Sequence, residues 1–114
     1  MNSGKKQDNR EIALSERAAN GDAEAVREIV DRHKAMVYGT CYRILGNAAD
    51  AEDATQATFV VFLKKCGKLK RGAVLGGWLY RTAALVSREA IRSAARRKHR
   101  EEEAAAMRER AGQE

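Results

Sequence analysis

Two groups of residues in this chain have types and spacing that could do chemistry, and in both the chemistry is charge recognition rather than bond making. The first is Asp50, Glu52, Asp53 and Gln56, a short acidic and amide cluster that opens an apolar run ending in Lys64-Lys65. The second is a set of ten bases between Lys68 and Arg100, namely Lys68, Lys70, Arg71, Arg81, Arg88, Arg92, Arg96, Arg97, Lys98 and Arg100. Glu89 is the one acid in that segment, which therefore carries +9 of a total formal charge of +6 and leaves −3 for everything else. So uneven a distribution points to a polyanionic partner, nucleic acid above all. A solvated basic helix with no ligand is the plainer explanation of the same charges.

Chemistry of other kinds finds little support. There is no Ser/His/Asp set, no pair of carboxylates spaced around a substrate and no GxxxxGK phosphate loop, so an enzyme is not expected. Cys41 and Cys66 have no second cysteine or histidine at ligand spacing, which predicts two small buried side chains and no metal or other cofactor. Asp50, Glu52 and Asp53 lack the glycine turn and distal glutamate of a calcium loop, and acids at a helix N-terminus explain them. His33 falls near an apolar face with no acid or nucleophile at helical spacing, the pattern of a packed histidine with one hydrogen bond.

The elements that carry these groups are helical. The 114 residues include no proline, and no run alternates with period two. The fold class predicted is all-α, a compact bundle of about four helices with a long basic helix at its C-terminal end. Residues 1–9 are polar and aperiodic and read as a disordered tail. Glu11 to Asn20 reads as a short helix stopped by Gly21, after which Asp22 caps a helix over 23–45. That helix carries Val26, Ile29, Val30, His33, Val37 and Cys41 on one stripe. Gly46-Asn47 stops it.

The acidic cluster then opens a third helix, with Phe59, Phe62, Leu63 and Cys66 as its buried stripe and Asp53, Gln56, Val60 and Lys64 on another face. Lys68 to Gly77 reads as a basic loop broken by glycines. The last helix runs from Trp78 to about Arg100, burying Trp78, Leu79, Thr82, Ala83, Val86 and Ala90. Arg81, Arg88 and Arg92 lie within about 40° of one another on its opposite side, with Arg96 and His99 close to that line. The tail over 101–114 is charged and alanine-rich, able to prolong the helix or fray as a linker. No stretch is apolar enough for a membrane span or a signal peptide, so the compartment expected is the cytoplasm, with no membrane contact.

Taken together, "RILGNAADAEDATQATFVVFLKK", the basic loop, and "LGGWLYRTAALVSREAIRSAARR" resemble domain two (region 2) of an extracytoplasmic-function (ECF) RNA polymerase sigma factor of the sigma-70 family. The likeness covers about Ala19 to Arg100. It implies a bacterial transcription-initiation module occupying 10–100, with 101–114 as the start of an interdomain linker. In a complete ECF factor a helix-turn-helix domain reading the minus-35 element would follow; nothing after Arg100 could form it.

By position, the resemblance assigns Asp50, Glu52, Asp53 and Gln56 to docking on the β′ clamp helices of the polymerase core. It assigns Lys68, Lys70, Arg71, Tyr80, Arg81, Arg88, Arg92 and Arg96 to the non-template strand of the minus-ten promoter element, which the domain recognises and melts. A base of that strand would be flipped into the Lys68–Leu75 loop. An anti-sigma factor is a further partner the family implies. Ala57 stands where the family commonly has an acid; Ala84, Leu85 and Glu89 stand where many relatives carry an arginine-asparagine pair and then an aspartate. Two other functions fit the residues: a helical protein-interaction module held by an anti-sigma factor, and a generic basic helical nucleic-acid binder.

Overall fold

The computed structural model describes residues 2–69 and 74–113, with side chains from residue 9 onward. Four helices follow one another: α1 (Asn2–Ala19), α2 (Ala23–Leu45), α3 (Ala48–Lys65) and α4 (Leu75–Gly112), with a single 3₁₀ turn at Cys66–Lys68 after α3. No strand occurs among the described residues, and the architecture is the all-α bundle that the sequence predicts.

The breaks between helices have specific causes. Gly21 takes φ +89° after α1, and Gly46 takes φ +79° after α2, a region that costs other residues strain. Gly46 also donates its N–H to the Tyr42 carbonyl at 2.8 Å. Asp22 caps α2: its Oδ1 accepts from the backbone N–H groups of Glu24 and Ala25 at 3.0 and 3.3 Å. Asn47, read from sequence only as part of a stop, also starts α3. Its side-chain oxygen accepts from the Asp50 N–H at 2.9 Å.

α2 lies at the centre and touches the other three helices, while the 3₁₀ turn packs on α1. The core joins Leu14 and Ala18 of α1 to Ile29, Val37 and Cys41 of α2, Phe59 and Phe62 of α3, and Leu75, Leu79 and Ala83 of α4. Phe62 and Leu79 are wholly buried, each contributing about 1.5–3 kcal/mol relative to exposure. Trp78 is half-buried and meets Phe62 edge-on, with ring centroids 6.1 Å apart, so it is a packing residue as its place in the stripe suggested. Both cysteines are free and buried. His33 Nε2 pairs with Glu11 Oε1 at 2.8 Å, one hydrogen bond across helices that pins α1 to α2.

Several boundaries differ from the sequence reading. α1 begins at Asn2, where a tail without structure was expected; lysine, glutamine and arginine are good helix formers once a packed turn at Leu14 and Ala18 nucleates the helix. α4 begins at Leu75 rather than Trp78, so Gly76 and Gly77 lie inside its first turn and break nothing. Burial of Leu75 and Leu79, one turn apart, outweighs the low helix propensity of the glycines. Leu63 is not in the buried stripe but 50 % exposed, because the contact face of α3 runs through Ala51, Ala54, Thr58 and Phe62 instead. Ala90 is also exposed. Beyond it nearly every side chain of α4 is in solvent, and a helix about 57 Å long at 1.5 Å per residue gives the molecule its 75 Å long axis. The tail thus prolongs the helix. No helix among the described residues is long and apolar enough to cross a membrane.

Candidate docking and nucleic-acid surfaces

Asp50, Glu52, Asp53 and Gln56 are all exposed on the first half of α3, but they do not share one patch. At 100° per residue, Glu52 and Gln56 lie about 40° apart, while Asp50 is turned about 120° from Gln56. Asp50 and Asp53 instead line a cleft of about 460 Å³ between α3 and α4, with Arg97 among the residues that line it from α4. Ala57, Val86 and Ile91 line it as well. An acid in place of Ala57, which the resemblance leads one to expect, would therefore add a carboxylate beside Asp50 and Asp53, not on the Glu52 and Gln56 side. Asp50 is held by its cap residue: Asn47 Nδ2 donates to Asp50 Oδ2 at 2.8 Å.

The Glu52 and Gln56 side continues along α3 through Val60 and Leu63, 48 % and 50 % exposed. Acid at one end, apolar in the middle, and Lys64 at the other end make the layout of a protein interface, an apolar centre with a polar rim. Leu63 is the residue sequence reasoning missed. Its neighbours at i−3 and i−7, Val60 and Gln56, were the available signal.

The basic surface is built mainly on α4. Arg81, Arg88, Arg92 and Arg96 are all exposed, with Leu85 lying among them at 61 % exposure. Arg81 folds back towards the start of its own helix; a Cβ on Gly77 would come within 3.3 Å of its Nη1. Glycine there leaves the guanidinium room beside the end of the loop. Arg92 and Arg96 both pair with Glu89, at 3.1 and 2.8 Å. Their hydrogen bonds, Arg96 first and then Arg92, hold the Glu89 carboxyl below the usual carboxylate range. Arg88 has no ion pair among the described residues. Tyr80 is half-exposed but turned about 100° from Arg81, away from the arginine row. Lys68 is exposed on the 3₁₀ turn. Lys70 and Arg71 lie outside the described residues.

These surfaces define a class: a helical module with an exposed acidic and apolar face on α3 and an exposed arginine row on α4. The family follows from comparison with known sequences. Residues 29–97 match the family model described as Sigma-70 region 2, and the chain belongs to that family. It is 36% identical over 72 residues to the ECF RNA polymerase sigma factor SigW of Bacillus subtilis, covering 63% of this chain and 38% of that protein. It is 35% identical over 77 residues to the RNA polymerase sigma factor CarQ of Myxococcus xanthus, covering 68% and 44%. With the ECF factor SigE of Mycolicibacterium smegmatis it shares 39% over 66 residues, 55% of this chain and 25% of that one. The chain thus spans less than half the length of these curated relatives. No solved structure matches it significantly.

Proposed function

We propose that the chain acts in transcription initiation as a sigma-factor domain, docking on core RNA polymerase through α3 and holding the opened promoter strand along α4. What supports this most is the placement of two unlike surfaces on one bundle: an acidic and apolar face on α3, and an arginine row on α4. On this reading the docking partner is the β′ clamp-helix pair. Glu52 and Gln56 meet its basic side chains and set register and on-rate, Val60 and Leu63 supply the desolvated centre, and Asp50 and Asp53 flank the contact at the cleft.

The non-template strand of the minus-ten element runs along Arg81, Arg88, Arg92 and Arg96, and Lys68, together with Lys70 and Arg71 by their place in the sequence, serves the flipped base. Cationic tracking of the backbone needs no sequence; the pocket supplies what sequence preference there is. Extruding a base costs a few kcal/mol, which stacking and hydrogen bonds to the flipped base, with Tyr80 the exposed aromatic available for stacking, must return. The site of action is the cytoplasm, where polymerase works, and an anti-sigma factor is the natural inhibitor of the same surfaces. The module carries out no bond-making chemistry of its own.

The strand-binding half is tested by titrating the chain with labelled oligonucleotides: promoter single strand, scrambled single strand and duplex. The account expects salt-sensitive binding, strongest for the promoter single strand. Equal affinity for the scrambled strand would remove the sequence-reading role and leave a generic basic binder.

A further inference from the structure

Glu89 is the single acid among the ten bases between Lys68 and Arg100, and its place in the arginine row is specific. Its Oε2 accepts from Arg92 Nε at 3.2 Å and lies 3.1 Å from Arg92 Nη2, and its Oε1 accepts from Arg96 Nη2 at 2.8 Å. Each carboxylate oxygen is thus held by a different guanidinium. The spacing i, i+3, i+7 stacks the three side chains on one face of α4. Two anionic oxygens shared between two guanidiniums is also what a phosphodiester presents to a pair of arginines. All three side chains are more than half exposed, so a phosphate can reach them. The carboxyl is held below the usual carboxylate range by the same hydrogen bonds, so it stays an anion wherever DNA is studied.

We propose that Glu89 is an internal stand-in for a strand phosphate, a positioning residue that occupies Arg92 and Arg96 until DNA displaces it. The inference rests on the reading of α4 as the strand-binding surface. Arg88, with no ion pair among the described residues, is free to meet a phosphate first. Arg92 and Arg96 join only when a second phosphate arrives in register to replace the carboxylate. Glu89 thereby weakens capture of stray polyanions while keeping both guanidiniums extended in the geometry the strand needs. Exposed ion pairs are weak, so the displacement is easy and the effect modest.

The test is fluorescence anisotropy of a labelled promoter single strand against the full chain over a salt series, comparing wild type, Glu89→Gln, Glu101→Gln, and Glu89→Gln in an Arg92→Ala/Arg96→Ala background. Glu101→Gln removes an acid of the same helix outside the row. Glu89→Gln is expected to tighten binding about two- to fivefold and to steepen the salt slope by about 0.7. The gain disappears in the double-alanine background, and Glu101→Gln gives a smaller one. Unchanged or weaker binding by Glu89→Gln overturns the proposal. So does a gain that survives loss of both arginines, or one that Glu101→Gln equals. If Arg92→Ala/Arg96→Ala itself binds as well as wild type, the strand-binding reading of α4 has failed, an outcome distinct from the others.

Discussion

Replacing Ser87 with alanine is expected to stabilise the bundle. Ser87 is fully buried on α4, and its Oγ has no hydrogen-bond partner. The contrast with the threonines is direct. Thr40, Thr58 and Thr82 each donate to the carbonyl four residues earlier, at 2.9, 2.7 and 2.8 Å. The corresponding acceptor for Ser87 is the Ala83 carbonyl, which the Cys41 thiol approaches at 4.0 Å. A buried hydroxyl left unpaired costs about 1–3 kcal/mol. Alanine removes that cost and gains a few tenths of a kcal/mol in helix propensity. The void left by one oxygen takes back about as much. The net expectation is about 1–2 kcal/mol of added stability, or roughly 4–10 °C in Tm for a chain of this size. Thermal and urea unfolding followed by circular dichroism measure it, with the urea midpoint rising at constant slope. Thr58→Val is the control: equally buried, with its hydroxyl satisfied, it should bring no gain. A Ser87→Ala protein no more stable than wild type would refute the reasoning, showing the hydroxyl to be satisfied in solution.

Other expectations follow from the charged groups. Arg88→Ala removes a guanidinium with no internal partner among the described residues, so the slope of log affinity for single strand against log salt should fall by about 0.7; an unchanged slope would take Arg88 off the strand path. Asp22 is held below the usual carboxylate range by the Arg17 side chain and the Ala25 and Glu24 N–H groups. A depressed folded pKa gives stability that is complete above the unfolded value and lost as pH falls through the folded one. Asp22→Asn keeps a capping side chain but loses the charge. Wild type should therefore be the more stable at neutral pH, and the gap should close on acidification below the usual carboxylate range. A gap independent of pH would contradict that assignment.

The helices themselves are legible in the sequence because their signals are local. The Asp22 cap, the two glycines that take positive φ, and the three- and four-residue spacing of apolar groups in α2 each act within one or two turns. What the sequence hides depends on neighbours in space. The buried face of α3 is set by small residues, Ala51, Ala54 and Thr58, which give no hydrophobic signal, so the sequence pattern puts Leu63 in the core while the structure exposes it. Gly76 and Gly77 read as breakers because only packing of Leu75 and Leu79 reveals that a helix has already begun. Glu11 and His33 are 22 positions apart, a partnership that no helical spacing shows. For the candidate surfaces, the arginine row follows from periodicity alone. The division of the acidic cluster between a cleft and an outward face needed the position of α4, and so did the recognition of what lies opposite Asp50 and Asp53.

The central claim, two separable surfaces on one module, is tested most directly by measuring binding of the chain to core RNA polymerase and to promoter single strand with two variants side by side. Asp53→Lys/Gln56→Ala should weaken polymerase binding by about tenfold or more, the loss of roughly 1.4 kcal/mol, while leaving strand affinity at or above wild type. Arg88→Ala/Arg92→Ala should do the reverse. Full retention of polymerase binding by the α3 variant, or loss of both activities by either variant in a folded protein, would contradict the account.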